Sequence, residues 1–323
     1  MNNISSLIKN TVRDYLVTHC PTLCSYGNNL TFAAMQDKLD PAFGRETEVH
    51  EIEVLTHKKS TPNVLLIGPA GCGKTAIAEQ FAISNYNRLY AKVKKDYDAA
   101  TKEEKAEIKA TFISKYFNSQ SYPIIFDLSL TSLIGGARYR GDFEDRVQRI
   151  INEVRTSEIN IILFIDEFHL ASSLGKSGEN DSSNFAQFVK PALARGDIRV
   201  IAATTDDEVE YILKDKALMR RFSVIKVKPI IFTEKVAEKI MKRYASYHKI
   251  NIDFSLASQI YEIVEMHYKT KCYPNNFIDV IDTTFAEASL SDEKEKKVEY
   301  KDILKTLSAL TGHLIIEGGM IHE

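Results

Sequence analysis

The chain has 323 residues, which is enough for about two domains of ordinary size. Its 44% hydrophobic and 27% charged residues are typical of globular proteins and exclude disordered, collagen-like and disulfide-scaffold classes. Lys and Arg total 42 against 44 Asp and Glu, so the formal charge of −2 gives no general attraction to nucleic acid or anionic membranes. No apolar run approaches the ~20 residues of a membrane span, and no basic start precedes an apolar block, so we expect a cytoplasmic protein.

The first part of the chain predicts an N-terminal arm, a strand and a long helical region. We assign residues 1–38 to the arm, which carries one helix. A short β-rich run then leads into a glycine loop and a helix over Thr75–Asn85, whose apolar residues recur at helical spacing. Residues 89–119 are rich in charged side chains, with apolar positions three or four residues apart. This pattern predicts a solvent-exposed helical insertion.

Five apolar runs are predicted to form strands: Asn63–Gly68, Pro123–Leu130, Ile161–Ile165, Ile198–Thr204 and Val224–Val227. Helical segments such as Asp142–Val154 and Phe185–Ala194 separate them, which predicts a parallel sheet covered on both faces. Beyond Pro229 the amphipathic segments are Glu234–His248, Ser255–Tyr268, Asn275–Ser289 and Tyr300–Thr311. The sequence therefore predicts a large α/β domain over residues 39–229 and a small all-helical domain over residues 230–323.

A glycine-rich segment after the first strand carries the strongest functional signal. It reads Gly68-Pro69-Ala70-Gly71-Cys72-Gly73-Lys74-Thr75 and fits the pattern G-x-x-x-x-G-K-[ST]. In such a loop, glycines let backbone N–H groups turn towards phosphates at the positive end of the following helix. Lys74 then reaches the β- and γ-phosphates, and the Thr75 hydroxyl binds Mg²⁺. The segment predicts a nucleotide-binding site.

Two acidic residues, Asp166 and Glu167, directly follow the predicted strand Ile161–Ile165. Ligands bind at the carboxyl ends of strands in open parallel sheets, so we expect Asp166 to bind the same Mg²⁺ as Thr75. Glu167 can then orient and deprotonate the water that attacks the γ-phosphate. The sequence contains no guanine-reading N-K-x-D motif, which favours ATP over GTP as the nucleotide.

Together with further motifs, the chain resembles the first ATPase module of the Clp-type AAA+ unfoldases and disaggregases. Besides the two motifs above, the resemblance rests on Leu39–Glu46, Gly135–Glu144, Lys190–Gly196, Ala203–Thr205 and Arg220–Phe222. It covers residues 39–315, and the order and spacing of the motifs make it specific. It implies an α/β P-loop AAA+ module with a five-stranded parallel sheet sandwiched by helices, a small helical lid, and assembly into hexameric rings.

The resemblance also implies roles for single residues. The tripeptide Phe43-Gly44-Arg45 lies where the family's loop packs on adenine. Thr205 looks like the polar sensor of the γ-phosphate. Arg220 and Arg221 correspond to arginines that reach the γ-phosphate of the neighbouring subunit and neutralise transition-state charge. His169, next to the acidic pair, is interpreted as a packing residue.

The segment Arg138-Tyr139-Arg140, which is flanked by glycines, is the most function-specific signal. A tyrosine at the tip of a mobile loop offers a flat amphipathic surface that grips polypeptide. In the family this loop lines the axial channel and pulls the substrate, and Gly175–Asn184 resembles a second channel loop. An exposed tyrosine between arginines can also stack on nucleic-acid bases, but the near-neutral charge favours peptide.

Three functions therefore stay open at this point. The leading interpretation is an ATP-driven homo-oligomeric ring that remodels, unfolds or translocates protein. The second is an ATP-gated scaffold that holds a protein partner through residues 1–38 or 89–119 without threading it. The third is a nucleic-acid-handling AAA+ ATPase, which the net charge disfavours. One departure from the family bears on all three, because Tyr273-Pro274-Asn275-Asn276-Phe277 stands where relatives have P-D-K and a lysine is missing.

Overall fold

The computed structural model describes residues 2–117, 122–135, 140–172, 185–271, 273–290, 296–316 and 319–320. The chain forms two compact units. The larger comprises Met1–Ala42, Thr47–Ile67 and Lys74–Lys226, and the smaller comprises Phe43–Glu46, Gly68–Gly73 and Val227–Glu323. Among the described residues, no helix has both the length and the apolar character that a membrane span requires.

The larger unit is built around one sheet. Its strands β1 to β6 are, in chain order, Gly27–Asn29, Asn63–Ile67, Ile124–Leu128, Ile161–Ile165, Arg199–Thr204 and Phe222–Lys226. They are arranged in the order β1-β3-β4-β5-β2-β6. Strands β2 to β6 are parallel and correspond to the five predicted strands. Strand β1 pairs antiparallel with β3, so the sheet is mixed and has six strands rather than the expected five.

The helices are numbered in chain order within the described ranges. Helices α1 to α16 are Asn2–His19, Pro21–Tyr26, Leu30–Met35, Glu46–Thr56, Lys74–Ala99, Lys102–Ala110, Phe112–Phe117, Leu130–Ile134, Arg140–Thr156, Phe185–Arg195, Val209–Leu213, Lys216–Met219, Glu234–His248, Ala257–His267, Asn275–Ser289 and Tyr300–Thr311. Two 3₁₀ turns lie at Phe168–Ser172 and Phe254–Leu256, and strands β7 (Ile315–Ile316) and β8 (Gly319–Met320) form a small hairpin.

The N-terminal segment, which the sequence predicts as an arm with one helix, contains three helices, α1 to α3, and packs into the core of the larger unit. Ile8, Val12 and Leu16 form one face of α1 and are at most 2% exposed. Burying each such side chain stabilises the fold by about 1.5–3 kcal/mol. The Glu153 carboxylate of α9 also accepts hydrogen bonds from backbone N–H groups at the start of α2, including that of Leu23 at 2.8 Å. The apolar face of α1 is therefore part of the core of the larger unit.

Residues 89–117 are helical, as the sequence analysis expected, but one face of this region is buried. Helix α5 does not stop near residue 85 and continues to Ala99. Leu89, Val93 and Phe112 join the core that contains α1 and the sheet, while Lys94 and Lys95 are exposed. The charged residues of the pattern thus mark the solvent side, and the apolar ones mark a packed interface.

The smaller unit has a separate hydrophobic core, formed by α13 to α16. Phe277, Val280 and Ile281 lie on one face of α15 and are fully buried. A hydrogen bond of 2.7 Å between His248 Nε2 and Asp282 Oδ1 joins the end of α13 to α15. Ile315 of the hairpin β7–β8 also joins this core, so the smaller unit is not purely helical as the sequence predicted.

Candidate functional site

Two predicted magnesium ligands meet at the carboxyl end of the sheet in the larger unit. Asp166 directly follows β4, and Thr75 is the second residue of α5. The Thr75 hydroxyl donates a hydrogen bond of 2.7 Å to Asp166 Oδ2. Hydroxyl and carboxylate oxygens are the donors that Mg²⁺ prefers, so the chemistry of this pair fits that ion.

Further carboxylates surround this pair. Burial, and then the negative charge of Asp166, raise the pKa of Asp127 at the end of β3. Burial, and then the charges of Asp40 and Asp127, likewise raise the pKa of Glu79 on α5. The part of each shift that comes from neighbouring carboxylates is one that a bound cation would offset.

Glu167 lies at a sharp turn of the backbone. Its φ of 49° is in the left-handed region, which non-glycine residues adopt only uncommonly. Its backbone N–H donates to Asp166 Oδ1 at 2.9 Å, which helps to hold the turn. The side chain is 53% exposed, so the carboxylate is accessible to water and substrate.

A chain of polar contacts leads from Glu167 to the predicted sensor Thr205. His169 Nδ1 lies 3.4 Å from Glu167 Oε2 and 3.1 Å from Glu208 Oε2, although neither contact has hydrogen-bond geometry. The Thr205 hydroxyl, at the end of β5, donates to Glu208 Oε2 at 2.7 Å. This hydrogen bond is the main reason why the pKa of Glu208 is lowered.

The role of Glu208 was missed in the sequence analysis, and His169 proves to lie beside both acids. Ligand atoms of Glu167, His169 and Glu208 all lie within 4.8 Å of one another. The spacing of Thr205 and Glu208, three residues apart after a strand, matches a local side-chain capping pattern and could have indicated this contact.

The phosphate loop lies in the smaller unit as far as Gly73. Its backbone conformation and its close contacts require glycine at three positions. A Cβ at Gly68 would lie 2.2 Å from the carbonyl oxygen of Val227, so no larger residue fits there. Gly71 and Gly73 have φ values of 73° and 92°. Within the loop, the Cys72 N–H donates to the Pro69 carbonyl at 3.3 Å, and Ala70 is exposed. Lys74, the first residue of α5 in the larger unit, is 7% exposed.

The tripeptide Phe43-Gly44-Arg45 also lies in the smaller unit. The buried Arg45 guanidinium donates a short hydrogen bond to the carbonyl of Cys72 in the phosphate loop. Gly44 has a φ of 73°, and a Cβ there would lie 3.3 Å from Ile230. Lys239 lies over the Phe43 ring, 5.8 Å from its centroid. The structure therefore brings two predicted nucleotide-binding segments of this unit together.

The lid sequence that departs from the family also lies close to the phosphate loop within the smaller unit. The Asn275 amide nitrogen would be 3.1 Å from a Cβ placed on Gly71. Asn276, at the position of the missing lysine, is buried and donates to Glu265 Oε1 at 2.6 Å. Asn276 thus supports the packing of the lid helices.

The predicted arginines, Arg220 and Arg221, are exposed at the end of α12, immediately before β6. Within the part of the chain that the structure describes, neither guanidinium has an ion pair or a side-chain hydrogen bond. Arg138 and Tyr139, the side chain of Arg140, and the second predicted loop Gly175–Asn184 lie outside the described residues, apart from the backbone of Arg140 at the start of α9.

Two family models match the chain. One describes an ATPase domain predominantly from Archaea and matches residues 43–265. The other describes an AAA lid domain and matches residues 232–315.

Similar curated proteins include the chaperone protein ClpB of Bacteroides thetaiotaomicron, which is 32% identical over 294 residues. ClpB of Staphylococcus aureus is 34% identical over 268 residues. The two alignments cover 87% and 82% of this chain but only 31% and 28% of the relatives. The chain thus spans about a third of the length of the curated proteins it matches.

Similar solved structures include S. cerevisiae Hsp104 in complex with casein, with a TM-score of 0.70 and 30% identity. An ADP complex of the same protein has a TM-score of 0.68 and 30% identity. Each alignment covers 90% of this chain and 45% of the Hsp104 chain. The similarity extends over nearly the whole of this chain and less than half of its structural relatives.

Proposed function

The chain belongs to the AAA+ ATPases and is homologous to the ClpB and Hsp104 chaperones, and from this premise we propose that it is an ATP-driven ring that remodels protein substrates. The observation that carries the proposal is the 2.7 Å contact between Thr75 and Asp166, beside an exposed Glu167. This arrangement supports hydrolysis of a nucleoside triphosphate.

In the proposed mechanism, the backbone of Gly68–Gly73 and the Lys74 ammonium bind the phosphates. Thr75 and Asp166 would hold Mg²⁺, which would neutralise negative charge on the phosphates when bound. Glu167 orients a water molecule and accepts its proton, and Thr205 contacts the γ-phosphate. Phe43-Gly44-Arg45 packs on the adenine.

Hydrolysis in this proposal needs a second copy of the chain. Arg220 and Arg221 are exposed and make no ion pair within the described ranges, so they are available to a neighbour. An arginine supplied from a neighbour stabilises transition-state charge and is worth about 10³–10⁵ in rate in related phosphoryl-transfer systems. We therefore propose a closed homo-oligomer, with six copies as in the family.

The substrate class in this proposal is protein, gripped by Arg138-Tyr139-Arg140. Its support is the resemblance of this segment to the channel loop of the family, together with the casein bound by Hsp104 in a similar structure. A near-neutral net charge is a further reason to prefer protein to nucleic acid.

The proposed site is tested with Glu167→Gln. This variant keeps the groups that bind the nucleotide but lacks the base, so it should retain ATP through gel filtration while turnover falls by about 10²–10⁴. Arg13→Ala, a change at an exposed residue of α1, is the control and should behave as wild type. Failure of the Gln variant to accumulate ATP would contradict the assignment of the site.

The substrate role is tested with Tyr139→Ala. The expected result is ATP turnover within about twofold of wild type and loss of ATP-dependent unfolding of a tagged protein, because only the gripping side chain is removed. The matched control is Tyr247→Ala, which removes a tyrosine that is 80% exposed on α13. Unchanged unfolding in Tyr139→Ala would favour the scaffold function, and ATPase stimulation by single-stranded nucleic acid would favour the third candidate.

A further inference from the structure

The backbone that carries Arg220 and Arg221 has little regular structure of its own. Helix α12 is only four residues long, and so short a helix is not stable in isolation. Since both arginine side chains are exposed and make no contact that orients them within the described residues, their direction depends on this backbone. Contacts from elements outside residues 215–222 must therefore fix the position of this backbone.

The first of these contacts fixes the beginning of α12. Asp215 caps the helix, since its Oδ1 accepts a hydrogen bond of 3.0 Å from the Leu218 N–H. Its other carboxylate oxygen forms a short ion pair with the Lys190 ammonium of α10, and the two side chains are only 25% and 22% exposed. Burial works against ionisation of Asp215, but the bonds from Lys190 and from the helix N–H groups together lower its pKa. The carboxylate is thus held between two elements.

The position of Lys190 is itself well defined. It lies on α10 beside Ala186, Val189 and Leu193, all of which are buried in the core of the larger unit. Leu218, in the turn of α12, is fully buried in the same core. The ion pair therefore connects two anchored segments, and breaking it loosens the one that carries the arginines.

A second contact fixes the end of the turn. Asn63, the first residue of β2, is 1% exposed and donates from Nδ2 to the Arg221 carbonyl at 2.9 Å. The same side chain accepts a hydrogen bond of 3.0 Å from the Val200 N–H of β5. Directly after Arg221, Phe222 packs against Phe168 with ring centroids 5.4 Å apart. The end of the turn is thus tied to two strands and to the segment after Glu167.

We propose that Lys190, Asp215 and Asn63 are positioning residues that aim Arg220 and Arg221 at the ATP of a neighbouring copy, an inference that rests on the proposed ring. None of the three touches the nucleotide in this account. They act through the backbone on which the arginines stand. Misplacing a functional group by about 1 Å can cost about 10²-fold in rate, so these contacts set the activity of the adjacent site.

The test is Lys190→Met, which should lower ATP turnover about 10²-fold while the affinity for ATP stays within about twofold of wild type. Lys190→Arg keeps the ion pair and should restore most of the turnover. Lys216→Met, at an exposed lysine on α12 itself, is the control and should match wild type. Asp215→Asn keeps a cap acceptor but loses the charge pair, and it provides a second variant if Lys190→Met does not fold.

The decisive measurement mixes subunits. Glu167→Gln subunits have a defective active site but intact arginines, so they should restore turnover in the sound active sites of Lys190→Met subunits. A double variant, Arg220→Ala with Arg221→Ala, is mixed with Glu167→Gln in parallel to calibrate this restoration.

The outcomes separate the two proposals. Restoration in both mixtures supports the positioning role. Restoration for the arginine variant alone shows that Lys190 serves its own subunit, and it overturns the inference but leaves the proposed function intact. Restoration in neither mixture overturns both the positioning role and the proposed function. If the unmixed Lys190→Met variant hydrolyses ATP as fast as wild type, the positioning role is overturned.

Discussion

Two regions of the larger unit are held in place in different ways. One is the polar cluster at the strand ends, formed by Asp166, Glu167, Thr205 and Glu208, and the other is the arginine turn of residues 215–222. Asp166 and Thr205 directly follow β4 and β5, which are paired along their length, so the sheet itself determines where these side chains begin. The arginines follow a four-residue helix that is held by Lys190 and Asn63 from other elements. The first region is positioned by backbone pairing, and the second by a few side chains.

This difference predicts how each region responds to substitution. Loss of a side-chain partner at the strand ends leaves the parallel ladder in place, so the remaining groups keep their positions. Loss of a partner at the arginine turn frees backbone that has few local contacts of its own. Substitution of a residue that only supports the proposed chemical groups should therefore have little effect in the first region and a large effect in the second.

The largest effect is expected when the arginines themselves are removed. Changing Arg220 and Arg221 singly to Ala should lower turnover by about 10³-fold at the more important position, because transition-state charge is no longer neutralised. Steady-state ATPase assays together with nucleotide-affinity measurements check this, and the affinity should change little. Wild-type turnover in both single variants would remove the arginine turn from the mechanism.

A smaller effect is expected for Asn63→Ala. The substitution leaves the Arg221 carbonyl and the Val200 N–H without their side-chain partner, which should lower the free energy of unfolding by about 2 kcal/mol. Turnover per folded molecule should also fall about tenfold, because the end of the turn is released. Denaturant titration and ATPase assays on the same samples separate the two effects. A loss of stability with unchanged turnover would show that Asn63 supports only the sheet.

The smallest effect is expected for Glu208→Gln, the strand-end counterpart of Asp215→Asn. The amide oxygen can still accept the Thr205 hydrogen bond, and β5 keeps Thr205 in place, so turnover should change by less than about threefold. ATPase assays of the two amide variants side by side give the comparison directly. If Glu208→Gln were as damaging as Asp215→Asn, the distinction between the two regions would be wrong.

Much of the fold could be predicted because its signals are local. Five parallel strands appear as short apolar runs, and helices α13, α15 and α16 occupy the predicted ranges. Strand β1 was missed because Gly27-Asn28-Asn29 has no apolar or β-branched residue and is defined only by its pairing with β3. The packing of α1 was missed for a similar reason, since an amphipathic helix does not reveal which surface covers it.

The candidate site shows the same distinction between features that have local sequence signals and features that depend on contacts between distant residues. Thr75 and Asp166 were expected to meet, because one follows a phosphate loop and the other a central strand. The contacts of Asp215 with Lys190, and of Asn63 with Arg221, join residues that are far apart in the chain, and no single short motif contains both partners of either contact. Sequence patterns therefore predicted the groups that are proposed to do the chemistry but not the contacts that hold the arginines.

The most direct test of the account is the dependence of ATP turnover on assembly. Turnover per subunit is measured over a dilution series, with the molar mass determined in parallel by light scattering in the presence of ATP. The account predicts that turnover per subunit falls steeply as rings of six copies dissociate, because each active site loses the arginines of its neighbour. Single copies that hydrolyse ATP at the same rate at every concentration would contradict it.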